Sequence, residues 1–484
     1  IRAVLKLACN AMPNDKAKDA CKSSVENFTE DIVAMLISNE TADFICSKIK
    51  LCVNCHITQG PNYYLDRDVR RNTNPMLELL QMKSRVFASA LFHQWKAHPD
   101  EPAHVGSKPT IDLDKDWFSS VHFVKRGANW RGRDCSDFDK NTRPGVKEDA
   151  SGKKDRDCNG IPANAEQKYC SGENAPRQVI NLGDSATAGF GIPVEWIKLK
   201  NLTSVLSAFI DELDHPYQAW GSGWDTKKCS DSLYLRMRER NRCYHRQFQN
   251  VGKNGGDIFD LSPQIDTIST NAQSKPALVT IAYIGNDICQ TSLDQMTTPE
   301  EYEEKLKAGL AKLDSVLVPG SKVVLFGLVD GSILFDLMGN IQHPLGSNIT
   351  YAQFYDFLSC VGQNPCNTWL TSNAATRAAA SARAMELNDV AELVAKSAKF
   401  KNFDLLFIDF VDLLDEAFGI VERQGKPLHS LIDPVDGFHP NVHDGHPILS
   451  SVLWSHLQGH PDFIGEVNPH NAAIEKEFGN QGGY

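Results

Sequence analysis

The second part of the chain alternates short apolar runs with helical stretches. Apolar, strand-like runs recur from residue 178 onward, at Val179–Leu182, Ala277–Ile284, Lys322–Leu328 and Leu405–Phe410. Continuous apolar runs bounded by polar segments are typical of strands that are buried on both faces. Their alternation with helices indicates a parallel sheet covered on both sides. The sequence therefore predicts a three-layer α/β/α sandwich over residues 176–484.

Two of the intervening helices carry clear signals. Thr298-Pro299-Glu300-Glu301 combines a capping Thr, a Pro at the first helical position and a Glu at the third, which is typical of a helix start. The stretch Ala374–Lys399 is long and rich in Ala, the residue with the highest helix propensity. We expect both stretches to be helices that cover the sheet.

The first 175 residues follow a different pattern. Residues 1–58 predict a small all-α region tied by cysteines, residues 59–129 a polar connector, and residues 130–175 a segment dense in Asp, Asn, Gly and Lys. Four apolar residues fall at helical spacing in the first region: Val25, Phe28, Ile32 and Met35. This stripe is a candidate lipid-binding surface, and the alternative is that it forms the core of the small domain itself.

Length and charge narrow the classes of protein. A chain of 484 residues is too long for one ordinary core, so two or three domains are expected. The formal net charge is -11, and an acidic chain repels phosphate backbones, so we expect no nucleic-acid partner. No apolar run approaches the roughly 18 residues that span a bilayer, so we expect no transmembrane span.

The cysteines and glycosylation sequons indicate an oxidising compartment. The 13 cysteines cluster at 9–55, 135–170, 229–243 and 360–366, with Cys289 standing apart, and their odd number leaves at least one thiol free or bonded to another chain. A zinc site is less favoured, because Cys52-Val-Asn-Cys55-His56 lacks a second ligand pair. Four Asn-x-Thr sequons mark candidate glycosylation sites at Asn27, Asn39, Asn201 and Asn348. Since the chain begins with Ile1 rather than Met, we expect that a leader has been removed from a secreted or lysosomal (vesicular) protein.

The strongest chemical signal is Gly183-Asp184-Ser185, directly after the first apolar run. A nucleophilic Ser needs an exposed hydroxyl and converging backbone N–H groups, and the turn after a parallel strand supplies both. Ser185 is therefore a candidate nucleophile. The alternative is a Ser that only caps a helix.

A second signal is Asp436-Gly-Phe-His439, in which an Asp precedes a His by three residues. Both side chains can then reach the same point from one turn. The carboxylate could hold the imidazole tautomer while the other ring nitrogen takes a proton from a serine. The alternative is an ordinary surface pair.

Two further turns could stabilise an oxyanion. Asn254-Gly255-Gly256 and Gly285-Asn286-Asp287 are short polar turns, and the second directly follows an apolar run. Acyl transfer needs donors aimed at the developing negative charge, and an Asn side chain and a Gly backbone N–H could supply them. The alternative is two turns without a catalytic role.

The Asp-rich segment predicts a calcium site. Closely spaced carboxylates and loop carbonyls are the oxygen ligands that Ca²⁺ prefers. The candidate ligands are Asp134, Asp137, Asp139, Asp155, Asp157 and Asn159. The serine chemistry needs no metal, so we expect this ion to be structural. The alternative is a solvated acidic linker held by a Cys135–Cys158 bond.

These motifs, in this order, resemble the SGNH (GDSL) hydrolase family. The resemblance implies Ser185 as nucleophile, His439 as general base and Asp436 as the residue that orients it. It implies three oxyanion donors, which are the N–H groups of Ser185 and Gly255 and the side chain of Asn286. Ester hydrolysis through an acyl-enzyme is the implied reaction.

The chain is similar, over most of its length, to the acyloxyacyl hydrolase branch of that family. The similarity includes Trp130-Arg-Gly-Arg-Asp-Cys135, Asp436-Gly-Phe-His-Pro-Asn441 and Phe478-Gly-Asn-Gln-Gly-Gly483. It implies that the substrate is lipopolysaccharide, from whose lipid A secondary, acyloxyacyl-linked fatty acids are released. The alternatives are a general phospholipase or carbohydrate esterase of the same type and, in another class, a non-catalytic lipid-binding protein.

The same resemblance implies that residues 1–58 are saposin-like. Cys9, Cys21, Cys46 and Cys52 resemble the later part of such a domain, with Cys9 bonded to Cys21. The Cys-x-x-Cys helix that normally opens the domain is not found at the start of this sequence. Either that helix lies on a separate, disulfide-linked chain, or the domain is abbreviated.

Overall fold

A computed structural model describes residues 108–122, 126–149, 152–192, 213–344, 349–360 and 364–484. The central feature is one five-stranded parallel sheet with the strand order β2-β1-β3-β4-β5. Its strands are β1 (Gln178–Gly183), β2 (Phe248–Asn250), β3 (Ala277–Ala282), β4 (Ser321–Phe326) and β5 (Phe403–Ile408). The strand order changes direction at β1, so the loops after β1, β2 and β3 meet at one edge of the sheet.

Helices connect the strands and cover both faces of the sheet. In chain order, the α-helices that the structure describes are α1 (Ala163–Tyr169), α2 (Ser185–Ala188), α3 (Leu233–Arg240), α4 (Leu261–Ile265), α5 (Pro299–Val316), α6 (Ser332–Met338), α7 (Tyr351–Cys360), α8 (Ala374–Ser397), α9 (Phe410–Arg423), α10 (Gly445–Gln458), α11 (Pro461–Ile464) and α12 (Asn471–Phe478). Short 3₁₀ turns lie at Gly172–Asn174, Arg242–Tyr244, Ile258–Asp260, Leu293–Gln295 and Leu428–Leu431.

Successive side chains along each strand point to opposite faces of the sheet, so each strand contributes to two cores. In β1, for example, Ile180 and Leu182 face the core formed with α4, α5 and α8, whereas Val179 faces the core formed with α3, α9 and α10. Both cores are apolar and buried. The predicted three-layer α/β/α sandwich is confirmed.

Most predicted elements occur close to their expected positions. Thr298 caps α5, and Thr298 and Glu301 satisfy each other's backbone N–H groups in a capping box. The Ala-rich stretch forms α8. The last strand begins and ends two residues before the predicted run. Strand β2 was not predicted, because a strand of three residues is too short to show a hydrophobic pattern.

Three disulfides occur in the described part of the chain: Cys135–Cys158, Cys170–Cys243 and Cys289–Cys366. Cys289 is isolated in sequence but bonded in the structure, because the turn after β3 lies against the segment after α7. Among the cysteine side chains that the structure describes, Cys229 is free and buried. None of the described helices is both long enough and apolar enough to cross a membrane.

Several predictions concern residues outside the described ranges. They include the apolar stripe of Val25, Phe28, Ile32 and Met35 and the cysteines Cys9, Cys21, Cys46 and Cys52. The four candidate glycosylation sites Asn27, Asn39, Asn201 and Asn348 also lie outside the described ranges.

Candidate active site

Ser185 lies at the carboxyl edge of the sheet because of the turn that follows β1. Gly183 has φ +149, and a Cβ there would lie 2.3 Å from the carbonyl oxygen of Ala282, so only glycine allows this close approach of β1 and β3. Asp184 then caps α2 by accepting a hydrogen bond from the N–H of Ala186. Ser185 is thereby the first residue of the helix.

The Ser185 hydroxyl and the carboxylate of Asp436 lie on opposite sides of one imidazole ring. The Nε2 atom of His439 is 2.7 Å from Ser185 Oγ, and its Nδ1 atom is 2.7 Å from Asp436 Oδ2. All three side chains are buried. The structure therefore brings together the three residues predicted to form a triad, although 254 positions separate Ser185 from His439.

The loop 433–439 is organised by its own carboxylates. Asp436 Oδ1 accepts hydrogen bonds from the N–H groups of Phe438 and His439, at 2.8 and 3.0 Å. Asp433, whose role the sequence did not reveal, accepts in the same way from Val435 and Asp436. Burial and the nearby Asp436 raise the pKa of Asp433 to about 7. The backbone of the loop is thus fixed around the carboxylate that contacts the imidazole.

Asp184 joins the two strands that flank the site. One of its carboxylate oxygens accepts from Ala186, and the other accepts from the N–H of Ile284, just after β3, at 2.9 Å. Burial raises the pKa of this carboxyl group to about 6. The Asp of the Gly-Asp-Ser motif therefore links the turn after β1 to the turn after β3.

The candidate oxyanion donors follow three adjacent strands. Ser185 follows β1, Gly255 follows β2 and Asn286 follows β3. Gly255 has φ +68, in the left-handed region that glycine adopts most easily. The Nδ2 atom of Asn286 donates to the carbonyl oxygen of Gly256 at 2.9 Å, which connects two of the three turns. Among the hydrogen bonds of the described residues, none uses the backbone N–H of Ser185 or of Gly255 as a donor.

A cavity that opens to solvent extends from Ser185, Asn286 and His439 between the helices, and its empty space, with the part open to solvent included, is about 840 Å³. Apart from these polar groups and Asp184, its wall is almost entirely apolar. The large apolar side chains that line it are Ile284, Ile333, Leu334, Leu337, Trp369, Phe410, Leu414, Phe418, Leu431, Ile432, Phe438 and Leu449. A long apolar group attached to a carbonyl at Ser185 could occupy this space.

The arrangement has the parts that nucleophilic acyl transfer requires. A serine hydroxyl contacts an imidazole that can accept its proton, and a buried carboxylate holds the other ring nitrogen. Backbone and amide donors lie on adjacent loops, where a developing oxyanion could be stabilised.

The Asp-rich segment contributes to a first group of carboxylates. Asp134 and Asp137 lie near Asp112, Asp114 and Asp116, three residues that the sequence reasoning missed although they alternate along the chain. Both carboxylate oxygens of Asp114, and one each of Asp116, Asp134 and Asp137, are buried without a hydrogen-bond partner in the described structure. Burial raises the pKa of Asp116 to about 8 and that of Asp134 to about 6. A divalent cation would satisfy buried carboxylate oxygens that lack a hydrogen-bond partner and repel one another.

A second group forms around a buried lysine. Asp155 and Asp157 lie with Glu148 and Glu166, and Lys275 Nζ contacts Asp157 and, at 3.5 Å, Glu166. Asn159 donates its amide to Asp157 and Glu166, at 3.1 and 2.7 Å.

The six predicted ligands therefore do not form one set between the two halves of the segment. Asp139 is paired with Lys154 at 2.8 Å, and Asp155, Asp157 and Asn159 belong to the lysine group. The Cys135–Cys158 disulfide links the two halves, but the neighbours at 112–116, 148, 166 and 275 decide which carboxylates meet.

Comparison with protein families gives the class of the chain. The model of the GDSL-like lipase/acylhydrolase family matches residues 179–450, more than half of the chain, and this range contains all the candidate triad and oxyanion residues. The model for the saposin-like type B domain, region 2, matches residues 19–52, within the region predicted to be saposin-like. The protein is an ester hydrolase of the GDSL type with a saposin-like region.

Full-length relatives make the assignment narrower. The chain is 35% identical over 519 residues to the acyloxyacyl hydrolase of Mus musculus, 34% over 521 residues to that of Oryctolagus cuniculus and 34% over 520 residues to that of Homo sapiens. These alignments cover 100% of this chain and 90%, 90% and 89% of the relatives. The chain belongs to the acyloxyacyl hydrolase family.

Proposed function

We propose that this enzyme releases secondary, acyloxyacyl-linked fatty acids from the lipid A of bacterial lipopolysaccharide, with Ser185 as its nucleophile. The observation that carries the proposal is the hydrogen-bonded chain Asp436–His439–Ser185, of which Ser185 and His439 line an apolar cavity. The proton-transfer groups lie where an ester carbonyl would enter, and the cavity lies where its acyl chain would extend.

In the first half of the reaction, Ser185 Oγ attacks the ester carbonyl and transfers its proton to His439 Nε2. Asp436 accepts from Nδ1–H, which keeps Nε2 free to act as the base and stabilises the imidazolium. The carbonyl oxygen becomes an oxyanion, which the N–H groups of Ser185 and Gly255 and the amide of Asn286 stabilise. Collapse breaks the bond to the alcohol oxygen, and that oxygen takes the proton from His439. The products are an acyl-enzyme and a free hydroxyl on the remaining lipid.

In the second half, water replaces the alcohol. His439 removes a proton from the water, whose oxygen attacks the acyl carbonyl, and the same donors stabilise the second oxyanion. Collapse breaks the bond to Ser185 Oγ, which recovers its proton from His439, and the fatty acid leaves.

The cavity offsets the cost of lifting an acyl chain out of a lipid aggregate. Each buried CH₂ contributes about 0.8 kcal/mol, so withdrawing a chain of about ten methylenes into water would cost roughly 8 kcal/mol. Transfer into an apolar cavity avoids most of this cost, because the chain remains out of water. An acylated lipid is therefore a better substrate for this site than a small water-soluble ester.

The substrate is tested by incubating the enzyme and Ser185→Ala with lipopolysaccharide and, separately, with a diacyl phospholipid. The released acids are identified by mass spectrometry. Release of non-hydroxylated acids from lipid A, with the hydroxyacyl chains left in place, is expected only from the wild-type enzyme. Cleavage of phospholipid alone would make a general secreted lipase the better description.

A fluorophosphonate probe separates an enzyme from a lipid-binding protein. Wild type should be labelled covalently at Ser185, and Ser185→Ala should not. Lipid binding without labelling and without acid release would mean that the site is vestigial.

The disulfides indicate folding in an oxidising compartment, as in the secretory pathway. We propose that the protein acts outside the cell or in a lysosomal vesicle, where acylated bacterial lipid is encountered. Cell fractionation with an antibody to the native protein tests this location, and a cytosolic pool of active enzyme would contradict it.

We also propose that the first carboxylate group holds a structural Ca²⁺, with Asp114, Asp116, Asp134 and Asp137 as ligands. The supporting observation is the set of buried, unpartnered oxygens on these four residues. The ion would supply positive charge to carboxylates that burial otherwise disfavours. It would join the segments 112–116 and 134–137, and no catalytic step involves it.

The calcium proposal predicts a change in stability. At a free Ca²⁺ concentration of 100 times Kd, binding to the native state adds about 2.7 kcal/mol to the free energy of unfolding. Wild type should melt at a higher temperature with Ca²⁺ than with chelator, and Asp116→Asn should lose most of this difference. Asp139→Asn, which affects the carboxylate paired with Lys154, is the control and should keep it. An unchanged melting temperature together with no metal in elemental analysis would exclude the site.

A further inference from the structure

The loop that carries Asp436 and His439 is closed at its base by a backbone hydrogen bond from the N–H of Asp433 to the carbonyl of His439, at 2.7 Å. The N–H groups of residues 435 and 436 donate to the carboxylate of Asp433, and those of residues 438 and 439 donate to the carboxylate of Asp436. The N–H of Gly437 donates to the carbonyl of Asp433. Carboxylates cannot satisfy carbonyl groups, so the buried carbonyls of the loop need donors from elsewhere.

Three aromatic side chains supply those donors. Tyr351 OH donates to the carbonyl of Pro434 at 2.6 Å, and Tyr355 OH donates to the carbonyl of Gly437 at 2.7 Å. The Nε2 atom of His343 lies 2.8 Å from the carbonyl oxygen of Val435. Three carbonyls within four residues are thus held from one side, around the position of Asp436.

The three donors are fixed by their own packing. Tyr351 and Tyr355 are four residues apart on α7, so their side chains project from the same face of the helix. His343 stacks on Phe354, with ring centroids 4.1 Å apart, and contacts Tyr351 edge-on. All three donors are buried. His343 and the two tyrosines of α7 therefore form a preformed surface against which the loop packs.

The loop approaches this surface as closely as its backbone allows. Gly437 has φ +65, and a Cβ there would lie 2.4 Å from Tyr355 OH and 2.6 Å from Tyr351 Cδ1. Burial raises the pKa of Tyr355 well above its ordinary value, so the hydroxyl remains protonated and able to donate. A glycine between Asp436 and His439 is needed at this contact as well as for the turn.

We propose that Tyr351, Tyr355 and His343 are positioning residues that hold Asp436 and His439 in the orientation required by Ser185. The inference rests on the proposed function. None of the three is among the residues that line the cavity beside Ser185, and their polar atoms contact the carbonyls of the loop, so they would act through the loop. Proton transfer depends on hydrogen-bond reach, and a misplacement of about 1 Å can cost roughly 10²-fold in rate.

The test uses Tyr351→Phe and Tyr355→Phe, singly and together, with Tyr302→Phe as the matched control. Tyr302 is also a buried tyrosine under the same face of the sheet, on α5, but it does not contact the loop. Each single variant should lose about tenfold in kcat with KM within twofold, because the lost contact affects the reacting groups rather than binding. The acidic limb of the pH profile should move to lower pH, because a loosened Asp436 stabilises the imidazolium less. Tyr302→Phe should leave kcat, KM and the pH profile unchanged.

A readout independent of turnover separates this proposal from the proposed function. The downfield proton NMR signal of His439 Nδ1–H, identified by its loss in Asp436→Asn, should broaden or shift in the tyrosine variants and not in Tyr302→Phe. An active Ser185→Ala enzyme would overturn the proposed function, whereas the NMR signal would still report on the loop. Tyrosine variants that melt earlier but keep kcat, the pH profile and the NMR signal would overturn the positioning role.

Discussion

The substitution Asp436→Asn tests the role of the buried carboxylate. In the native loop, Asp436 Oδ1 accepts from two backbone N–H groups and Oδ2 accepts from His439 Nδ1. An Asn that keeps the two backbone contacts must turn its amide nitrogen toward Nδ1. The imidazole then has to carry its proton on Nε2, where it faces Ser185 Oγ and can no longer accept the hydroxyl proton.

The expected loss is ~10⁴-fold in kcat, about 5.4 kcal/mol of transition-state stabilisation. The assay is hydrolysis of a chromogenic fatty acyl ester, with the melting temperature measured in parallel. The control is Asp433→Asn, because the Asp433 carboxylate accepts from two backbone N–H groups in the same loop. The hydrogen bond between Asp433 and His439 is made by backbone atoms, the N–H of Asp433 and the carbonyl of His439, and the substitution leaves these atoms in place. We expect the control to lose less than about tenfold, since the tautomer of His439 is unchanged. An Asp436→Asn enzyme with nearly normal activity, or an equally large loss in the control, would refute this reasoning.

Three further predictions concern an oxyanion donor, the cavity and the buried His446. Asn286→Ala removes one oxyanion donor and should reduce kcat by ~10²–10³-fold in the same assay, and an unchanged kcat would exclude this residue from the oxyanion site. Leu414→Trp narrows the cavity and should lower kcat/KM for a twelve-carbon ester at least about tenfold more than for a four-carbon ester, whereas Leu393→Trp, at a position 64% exposed on α8, should affect neither. Equal losses for both esters would argue against an acyl-binding cavity. Burial lowers the pKa of His446 to about 3, so below pH 6.5 the unfolded chain takes up a proton that the folded protein does not. This group should cost about 2 kcal/mol of unfolding free energy between pH 7 and pH 5, and His446→Gln should flatten the slope measured by urea unfolding, while an identical slope would contradict the assignment.

Local interactions explain what the sequence by itself determined. The alternation of apolar runs and helices predicted the layered fold, since burial on both faces requires continuous apolar strands. The capping signal at Thr298 predicted the start of α5, because capping involves only neighbouring residues. The spacing of Asp436 and His439 likewise placed both side chains on one turn. Each of these signals is visible in residues that lie within a few positions of one another in the sequence.

The tertiary structure decided which distant residues meet. Ser185 reaches His439 across 254 positions because the parallel sheet and its helices bring the turn after β1 to the loop 433–439. The same packing separated the predicted calcium ligands, added Asp112, Asp114 and Asp116, and placed a lysine among the others. It also placed the tyrosines of α7 against the loop of Asp436. Sequence patterns report local periodicity and spacing, whereas these contacts depend on the strand order and helix packing of the whole domain, which a single sequence does not display.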